Sequence, residues 1–161
     1  MISLRARADK VAGRGWYGFL EWYVRRQGAP FTMMNWGYHD GRPRVAADEP
    51  ERFPLQLYHA LLDGVPVEGR TVADVCCGRG GGLAWVERTL RPARGIGIDF
   101  TPGQVALCRA TYGRSQPALE FHEGDAEKLP LPDASADVVL SVEASHCTRT
   151  SDASSTRPGV S

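Results

Sequence analysis

The sequence lacks any apolar run that approaches the roughly 20 residues needed to span a bilayer. Its N-terminus, MISLRARADK, carries charges but no apolar core of a secretory signal, so we expect a cytoplasmic protein. It also lacks an excess of either charge, because 19 Lys and Arg residues balance 19 Asp and Glu residues. This balance argues against a dedicated nucleic-acid binder, which usually carries a basic surplus.

Cysteine is scarce and shows no pairing pattern. Cys76 and Cys77 are adjacent, and Cys108 and Cys147 stand alone. No C-x-x-C or C-x-x-H pair occurs, so the sequence predicts neither a metal site nor a disulfide framework. We expect the four cysteines to be small apolar residues of the core.

What is present is ordinary for one soluble domain: of 161 residues, 42% are hydrophobic and 24% are charged. Helices are predicted at residues 16–26 and from Pro54 to Gly64, the second with one apolar face formed by Leu55, Tyr58, Leu61 and Leu62. Strands then alternate with helices: strands at 71–76, 95–99, 119–122 and 137–142, helices at 83–90 and 102–112. This alternation indicates right-handed βαβ units on a parallel sheet, an α/β fold.

The strongest motif is DVCCGRGGG, which runs from Asp74 to Gly82 and joins a buried strand to a helix. Glycines let the backbone pass close to a ligand, and a helix N-terminus offers free N–H groups. Asp99 ends the next strand, where a carboxylate can accept both hydroxyls of a ribose. The dinucleotide fingerprint fails at Leu83, and no G-K-[ST] follows. A nucleotide-type site is therefore predicted, with a plain connecting turn as the alternative.

These residues, with a later Gly-Asp-Ala, resemble the class I S-adenosylmethionine-dependent methyltransferases. MNWGY, LYH, CGRGGG and EGDAEKLPLPDASADVVLSVEASHC are closer to one branch, the mycobacterial phthiotriolone/phenolphthiotriolone dimycocerosate methyltransferases and related lipid or polyketide O-methyltransferases. The resemblance covers roughly residues 16–147. One departure is Cys76, which stands where most of the superfamily has glycine and tightens the space beneath the methionine moiety.

The resemblance implies a site for S-adenosyl-L-methionine, with roles assigned residue by residue. Asp74 would fix the glycine turn and the amino group, and Asp99 would bind the ribose hydroxyls. The remaining cofactor contacts would be Cys77, Gly78 and Gly80 on the methionine and ribose, Phe100, Asp125 and Ala126 on the adenine, Glu143 and Ala144 on the methyl-transfer side, and Trp36 and Tyr38 as a lid. For Trp36 and Tyr38 the alternative is hydrophobic closure of the N-terminal helix.

His146 is the candidate catalytic base. Methylation of a hydroxyl requires removal of its proton, and an imidazole titrates near neutrality. Related sugar and polyketide O-methyltransferases carry histidine at the matching place. The alternative is a histidine that only orients its loop.

The family has a seven-stranded sheet of order 3-2-1-4-5-7-6, of which this chain supplies four strands. Three parts are predicted: residues 1–50 as N-terminal arm and lid helix, 51–147 as a partial methyltransferase core of Rossmann-like fold, and 148–161 as a disordered tail. Written in GC-rich codons and read with one added T, the tail becomes YPDLGRVLDEARRVL, which resembles the helix that follows in the family. We therefore predict a frameshift after Cys147 and a truncated core that is poorly soluble or molten.

The resulting functional prediction is transfer of a methyl group from S-adenosyl-L-methionine to a hydroxyl of a small-molecule lipid or polyketide. A cofactor-binding remnant without activity is the alternative, and a nucleotide-binding α/β module without methyl transfer is the third hypothesis.

Overall fold

The computed structural model describes residues 31–144 together with Phe19, Trp22 and Arg26. Within residues 31–144 helices and strands alternate, in the order α1 (Arg52–Leu62), β1 (Thr71–Val75), α2 (Gly81–Leu90), β2 (Arg94–Asp99), α3 (Pro102–Tyr112), β3 (Leu119–Glu123) and β4 (Val138–Leu140). Phe19, Trp22 and Arg26 are helical, as predicted for residues 16–26. The rest of that predicted helix, His146, Cys147 and the tail 148–161 lie outside the described residues.

The four strands form one parallel sheet in the order β3-β2-β1-β4. Val75 of β1 pairs with Ile98 of β2, and Asp74 pairs with Leu140 of β4. All four strands therefore end at the same edge of the sheet. This order is the predicted one, and the predicted α/β fold is confirmed.

Successive residues of β2 face opposite sides of the sheet, and each side packs against a different hydrophobic cluster. Ile96 and Ile98 are fully buried and form one cluster with Val75, against which Ala126 and Leu131 pack. Gly95 and Gly97 face the other way, toward Leu119 and Phe121. The larger cluster includes Leu83 and Val86 of α2, both fully buried, as the spacing of the helix predicts.

Several sequence predictions differ from the structure in detail. Some bounds shift by one or two residues, as in α1, predicted from Pro54 to Gly64 and observed at Arg52–Leu62. Leu61 is 49% exposed, whereas Leu55, Tyr58 and Leu62 are buried, because the buried stripe of α1 is narrower than the predicted apolar face. β4 covers three residues rather than six, since it pairs with β1 only from Val138 to Leu140.

No helix among the described residues combines the length and the apolar character that a membrane crossing requires.

Candidate functional site

Most of the predicted cofactor residues follow the carboxyl ends of the four strands, and the parallel sheet brings them to one edge. They are Cys77 and Gly78 after β1, Phe100 after β2, Asp125 and Ala126 after β3, and Glu143 and Ala144 after β4.

Asp99 is locked into the glycine turn by its carboxylate. Oδ2 accepts the Gly78 N–H at 2.9 Å, and Oδ1 accepts the Thr101 N–H at 2.8 Å. Burial raises the pKa of Asp99, while these two hydrogen bonds lower it. The carboxylate has about four lone-pair sites and the Thr101 side chain also bonds to it, so at least one site remains for a further donor such as a hydroxyl. The carboxylate is thus held in place and still able to accept a hydrogen bond from a ribose hydroxyl.

Asp74 is fully buried beneath the same turn. Its Oδ2 accepts the Tyr58 hydroxyl at 3.0 Å, whereas its Oδ1 is buried without a hydrogen-bond partner. Burial raises the pKa of Asp74 to about 7; the Tyr58 hydrogen bond lowers it, and the charge of Asp99 raises it further. A buried acceptor left without a partner is costly, so this oxygen is suited to a cationic donor such as the ammonium group of a methionine moiety. This orphaned oxygen and the remaining acceptor site of Asp99 fit S-adenosyl-L-methionine.

Tyr58 reaches Asp74 because α1 packs closely on α2. A Cβ at Gly82 would lie 1.9 Å from Cζ of Tyr58, so only glycine permits this approach. From the sequence, Tyr58 was predicted only as part of an apolar face, and its hydroxyl contact with Asp74 was not predicted. A usable signal was present, because a buried tyrosine generally finds a hydrogen-bond partner for its hydroxyl.

The segment after β3 is tied to the end of β2, on the side predicted to hold adenine. The Gly124 N–H donates to the Asp99 carbonyl at 3.0 Å. Asp125 Oδ1 accepts the Glu127 N–H at 3.1 Å, and Ala126 packs against the Val75, Ile96 and Ile98 cluster. The carboxylate of Asp125 therefore stands in a defined turn beside Asp99.

The N-terminal segment also reaches this edge, through its backbone. The Trp36 N–H donates to Glu143 Oε2 at 3.0 Å, but the Trp36 side chain is 94% exposed and buries almost none of its surface. Tyr38 is exposed as well; its ring lies beside the Arg44 guanidinium, 5.7 Å away. The structure thus brings the main chain of the predicted lid to the strand ends while both aromatic rings remain in solvent.

Two residues that were not predicted as cofactor contacts, Met34 and Gln104, also lie near the glycine turn. Met34 lies over Gly78, where an added Cβ would meet its Sδ at 3.2 Å. Gln104 of α3 is buried, its Nε2 lies 3.7 Å from that sulfur, and its Oε1 has no partner. Met34 begins the MNWGY motif, which was the available signal. For Gln104 no local pattern predicts burial at this place.

The predicted base His146 lies outside the described residues, so the geometry around it is not part of this site. Among the described residues, no group of three or more His, Cys, Asp or Glu side chains could hold a metal ion.

Comparison with known proteins identifies the family. A methyltransferase domain family matches residues 72–156, from β1 to beyond Cys147, where the sequence analysis ended the resemblance. The phthiotriol/phenolphthiotriol dimycocerosates methyltransferase of Mycobacterium tuberculosis H37Ra is 40% identical over 155 residues, which cover 90% of this chain and 56% of that protein. A fatty-acid O-methyltransferase of Mycolicibacterium smegmatis is 41% identical over 119 residues, covering 71% of this chain and 43% of that protein. The chain spans about half the length of these curated relatives.

Solved structures agree on the fold. The cyclase SpnF superposes with a TM-score of 0.58 at 24% identity, covering 70% of this chain and 41% of its own. A geranyl diphosphate C-methyltransferase from Streptomyces coelicolor, solved with S-adenosyl-L-homocysteine, gives a TM-score of 0.55 at 18% identity, covering 67% and 44%. The predicted resemblance and the Rossmann-like fold are thereby confirmed.

Proposed function

This chain belongs to the methyltransferase domain family, and from that premise we propose that it binds S-adenosyl-L-methionine at the strand-end edge and transfers the methyl group to a hydroxyl of a lipid or polyketide. S-adenosyl-L-methionine is the cofactor of the family, and the chain is an enzyme by family. The names of the relatives support a lipid acceptor. A cytoplasmic location and the absence of a nucleic-acid partner remain predictions from the sequence.

One observation carries the proposal: the buried carboxylate of Asp74 and the partly buried carboxylate of Asp99 flank the glycine turn and offer complementary acceptors. Asp74 Oδ1 lacks a partner, which suits an ammonium group, and Asp99 is oriented by its hydrogen bonds with at least one acceptor site left, which suits a ribose hydroxyl. The other predicted contacts, Phe100, Asp125 and Ala126 for the adenine, and Cys77, Gly78, Gly80, Glu143 and Ala144 around the methionine, stay proposals.

When bound, S-adenosyl-L-methionine supplies an electrophilic methyl group on a sulfonium centre. The chain's own contribution is chiefly positioning, because the donor and acceptor must be aligned in a cleft poor in water. His146 would accept the proton of the acceptor hydroxyl. We expect His146→Ala to lower turnover by roughly 10²-fold with little change in cofactor affinity, measured in a chain that extends over the length of its relatives.

The test of cofactor binding is calorimetric titration of the purified chain with S-adenosyl-L-homocysteine and, separately, with NAD. We expect binding of the first only. Equal affinity for both ligands would favour the nucleotide-binding module without methyl transfer, and no binding of S-adenosyl-L-homocysteine would contradict the proposal.

A measurement of turnover distinguishes the proposed methyltransferase from the alternative, a cofactor-binding remnant without activity. Methyl transfer is measured from radiolabelled S-adenosyl-L-methionine to a long-chain alcohol and to a long-chain fatty acid. Binding without transfer to any lipid acceptor favours the remnant. One neighbour of the same fold is named a cyclase, so the fold alone does not define the reaction.

A further inference from the structure

Glu51 directs its carboxylate at the segment of residues 32–34, which we term the strap. Oε1 accepts the N–H groups of Thr32 at 2.9 Å and Met33 at 3.1 Å. Oε2 accepts the Thr32 N–H at 3.1 Å and the Thr32 hydroxyl. Two consecutive backbone donors and one hydroxyl therefore converge on a single carboxylate, 18 and 19 residues away in sequence. Hydrogen bonds to an ionised acceptor are stronger than neutral ones.

The backbone of Glu51 is held in an unfavourable conformation at this point. Its φ of 54° and ψ of 32° lie in the left-handed region, which residues other than glycine rarely adopt. Glu51 immediately precedes α1, and its carbonyl accepts the Leu55 N–H at 3.0 Å. Residues kept in such conformations concentrate at functional sites, where surrounding contacts over-determine them.

On its other side, the strap rests on the glycine turn. The Thr32 carbonyl accepts the N–H of Gly81, the first residue of α2, at 3.1 Å. A Cβ at residue 81 would approach that carbonyl oxygen to 2.4 Å, so glycine is needed for the contact. The last strap residue, Met34, lies against Gly78, whose N–H is bound by Asp99. Glu51 is thus linked through the strap to both ends of the turn.

We propose that Glu51 is a positioning residue that sets cofactor affinity by holding the strap across the glycine turn. The inference rests on the proposed function. Glu51 acts through Thr32 and Met34 and needs no contact of its own with the cofactor. Release of the strap would free the Gly81 N–H, uncover Gly78 and loosen the turn whose geometry Asp99 depends on.

The test compares Glu51→Gln with Glu49→Gln in the 161-residue chain. Glutamine keeps the size of Glu51 but turns an NH₂ group toward the Thr32 donors, whereas Glu49 pairs with Arg88 and does not touch the strap. We expect Glu51→Gln to weaken S-adenosyl-L-homocysteine binding about tenfold or more in calorimetry. Amide exchange at residues 32–34 and 78–81 should become faster without ligand, and Glu49→Gln should match wild type in both measurements.

Thr32→Val provides a second variant that removes one donor and keeps the side-chain shape. It should weaken binding several-fold in the same direction. A purely structural role of Glu51 would lower the thermal midpoint and leave the affinity of the folded fraction unchanged. Wild-type binding with unchanged affinity in Glu51→Gln therefore overturns this inference alone, whereas absence of binding by the wild-type chain overturns it together with the proposed function.

Discussion

Asp74, which is fully buried, and Asp99, which is partly buried, differ in how many of their carboxylate acceptor sites are already occupied. Both oxygens of Asp99 already accept backbone N–H groups, so its orientation is set before any ligand arrives. Asp74 has one oxygen with the Tyr58 hydroxyl and one without a partner. The oxygen without a partner costs free energy in the free chain. A cationic ligand that donates a hydrogen bond to it would remove this cost, which favours binding.

Replacing Asp99 by alanine tests the ribose assignment. In the proposed complex, Asp99→Ala would remove the charge-assisted hydrogen bonds predicted to the ribose diol, each worth about 1.5–3 kcal/mol. We expect calorimetry to give an affinity for S-adenosyl-L-homocysteine at least about 10²-fold weaker, with Asp133→Ala, an exposed aspartate elsewhere, as the control. Equal, measurable affinity in wild type and Asp99→Ala would rule out the assignment.

Cys76 stands where most of the superfamily has glycine, and its backbone conformation makes this difference costly to stability. Its φ is 62°, in the left-handed region, where a residue with a Cβ costs about 1–2 kcal/mol and glycine does not. Cys76→Gly relieves this strain, but glycine loses more backbone entropy on folding, which offsets part of the gain. We therefore expect the free energy of unfolding, measured by urea denaturation, to rise by up to about 1 kcal/mol. Cys76→Ala keeps the Cβ and should show no gain; equal stability of the two variants would contradict the explanation.

At the scale of elements, β4 is the least supported strand of the sheet. It pairs with β1 over three residues, and within residues 31–144 no strand lies on its other side. Val139 on this strand is 59% exposed. An apolar strand with unpaired N–H and C=O groups is a template for pairing with another chain.

A lysine at position 139 should reduce self-association. The charged side chain opposes edge-to-edge pairing, and an exposed substitution of this kind changes stability by no more than about 0.5 kcal/mol. Light scattering at increasing concentration should show smaller particles for Val139→Lys than for wild type. Val65→Lys, which adds the same charge at an exposed loop position, is the control; an equal effect would indicate net charge and not the strand edge.

At the scale of the whole molecule, the carboxylates of Asp74 and Asp99 make stability depend on pH. Burial raises the pKa of Asp74 to about 7 and raises that of Asp99, so the native state holds protons that the unfolded chain has released. Between about pH 4 and pH 7 the free energy of unfolding therefore falls as pH rises. Glu120 acts in the opposite sense, because its hydrogen bond with Arg94 lowers its pKa from 4.5 to about 2. Its contribution to stability is lost only as the pH falls from about 4.5 to about 2, so it does not offset the trend above pH 4.5.

We predict a lower free energy of unfolding at pH 8 than at pH 5, by a few kcal/mol at most, since one pKa unit corresponds to about 1.4 kcal/mol. Urea denaturation at the two values measures the difference. Asp74→Asn should remove most of it, because the amide does not ionise. A pH dependence that is unchanged in Asp74→Asn would show that Asp74 is not the group responsible.

The sequence by itself determined the alternating elements, the parallel sheet and the place of the glycine turn. These features follow from local periodicity and from short motifs, and both are visible in neighbouring residues. The boundaries of α3, the end of α2 at Leu90 and the position of Asp99 at the end of β2 were predictable for that reason, whereas α2 begins at Gly81, two residues before its predicted start. The buried face of α1 was predicted too wide at Leu61, and β4 too long, since neighbouring elements decide both.

Only the tertiary structure decided how distant residues meet at the turn. The hydrogen bond from Tyr58 to Asp74 spans 16 residues, and that from Trp36 to Glu143 spans 107. The left-handed backbone of Glu51 likewise accompanies hydrogen bonds to residues 18 and 19 positions away. No local pattern encodes such contacts, because they depend on which helix packs on which strand and how closely a glycine lets them approach.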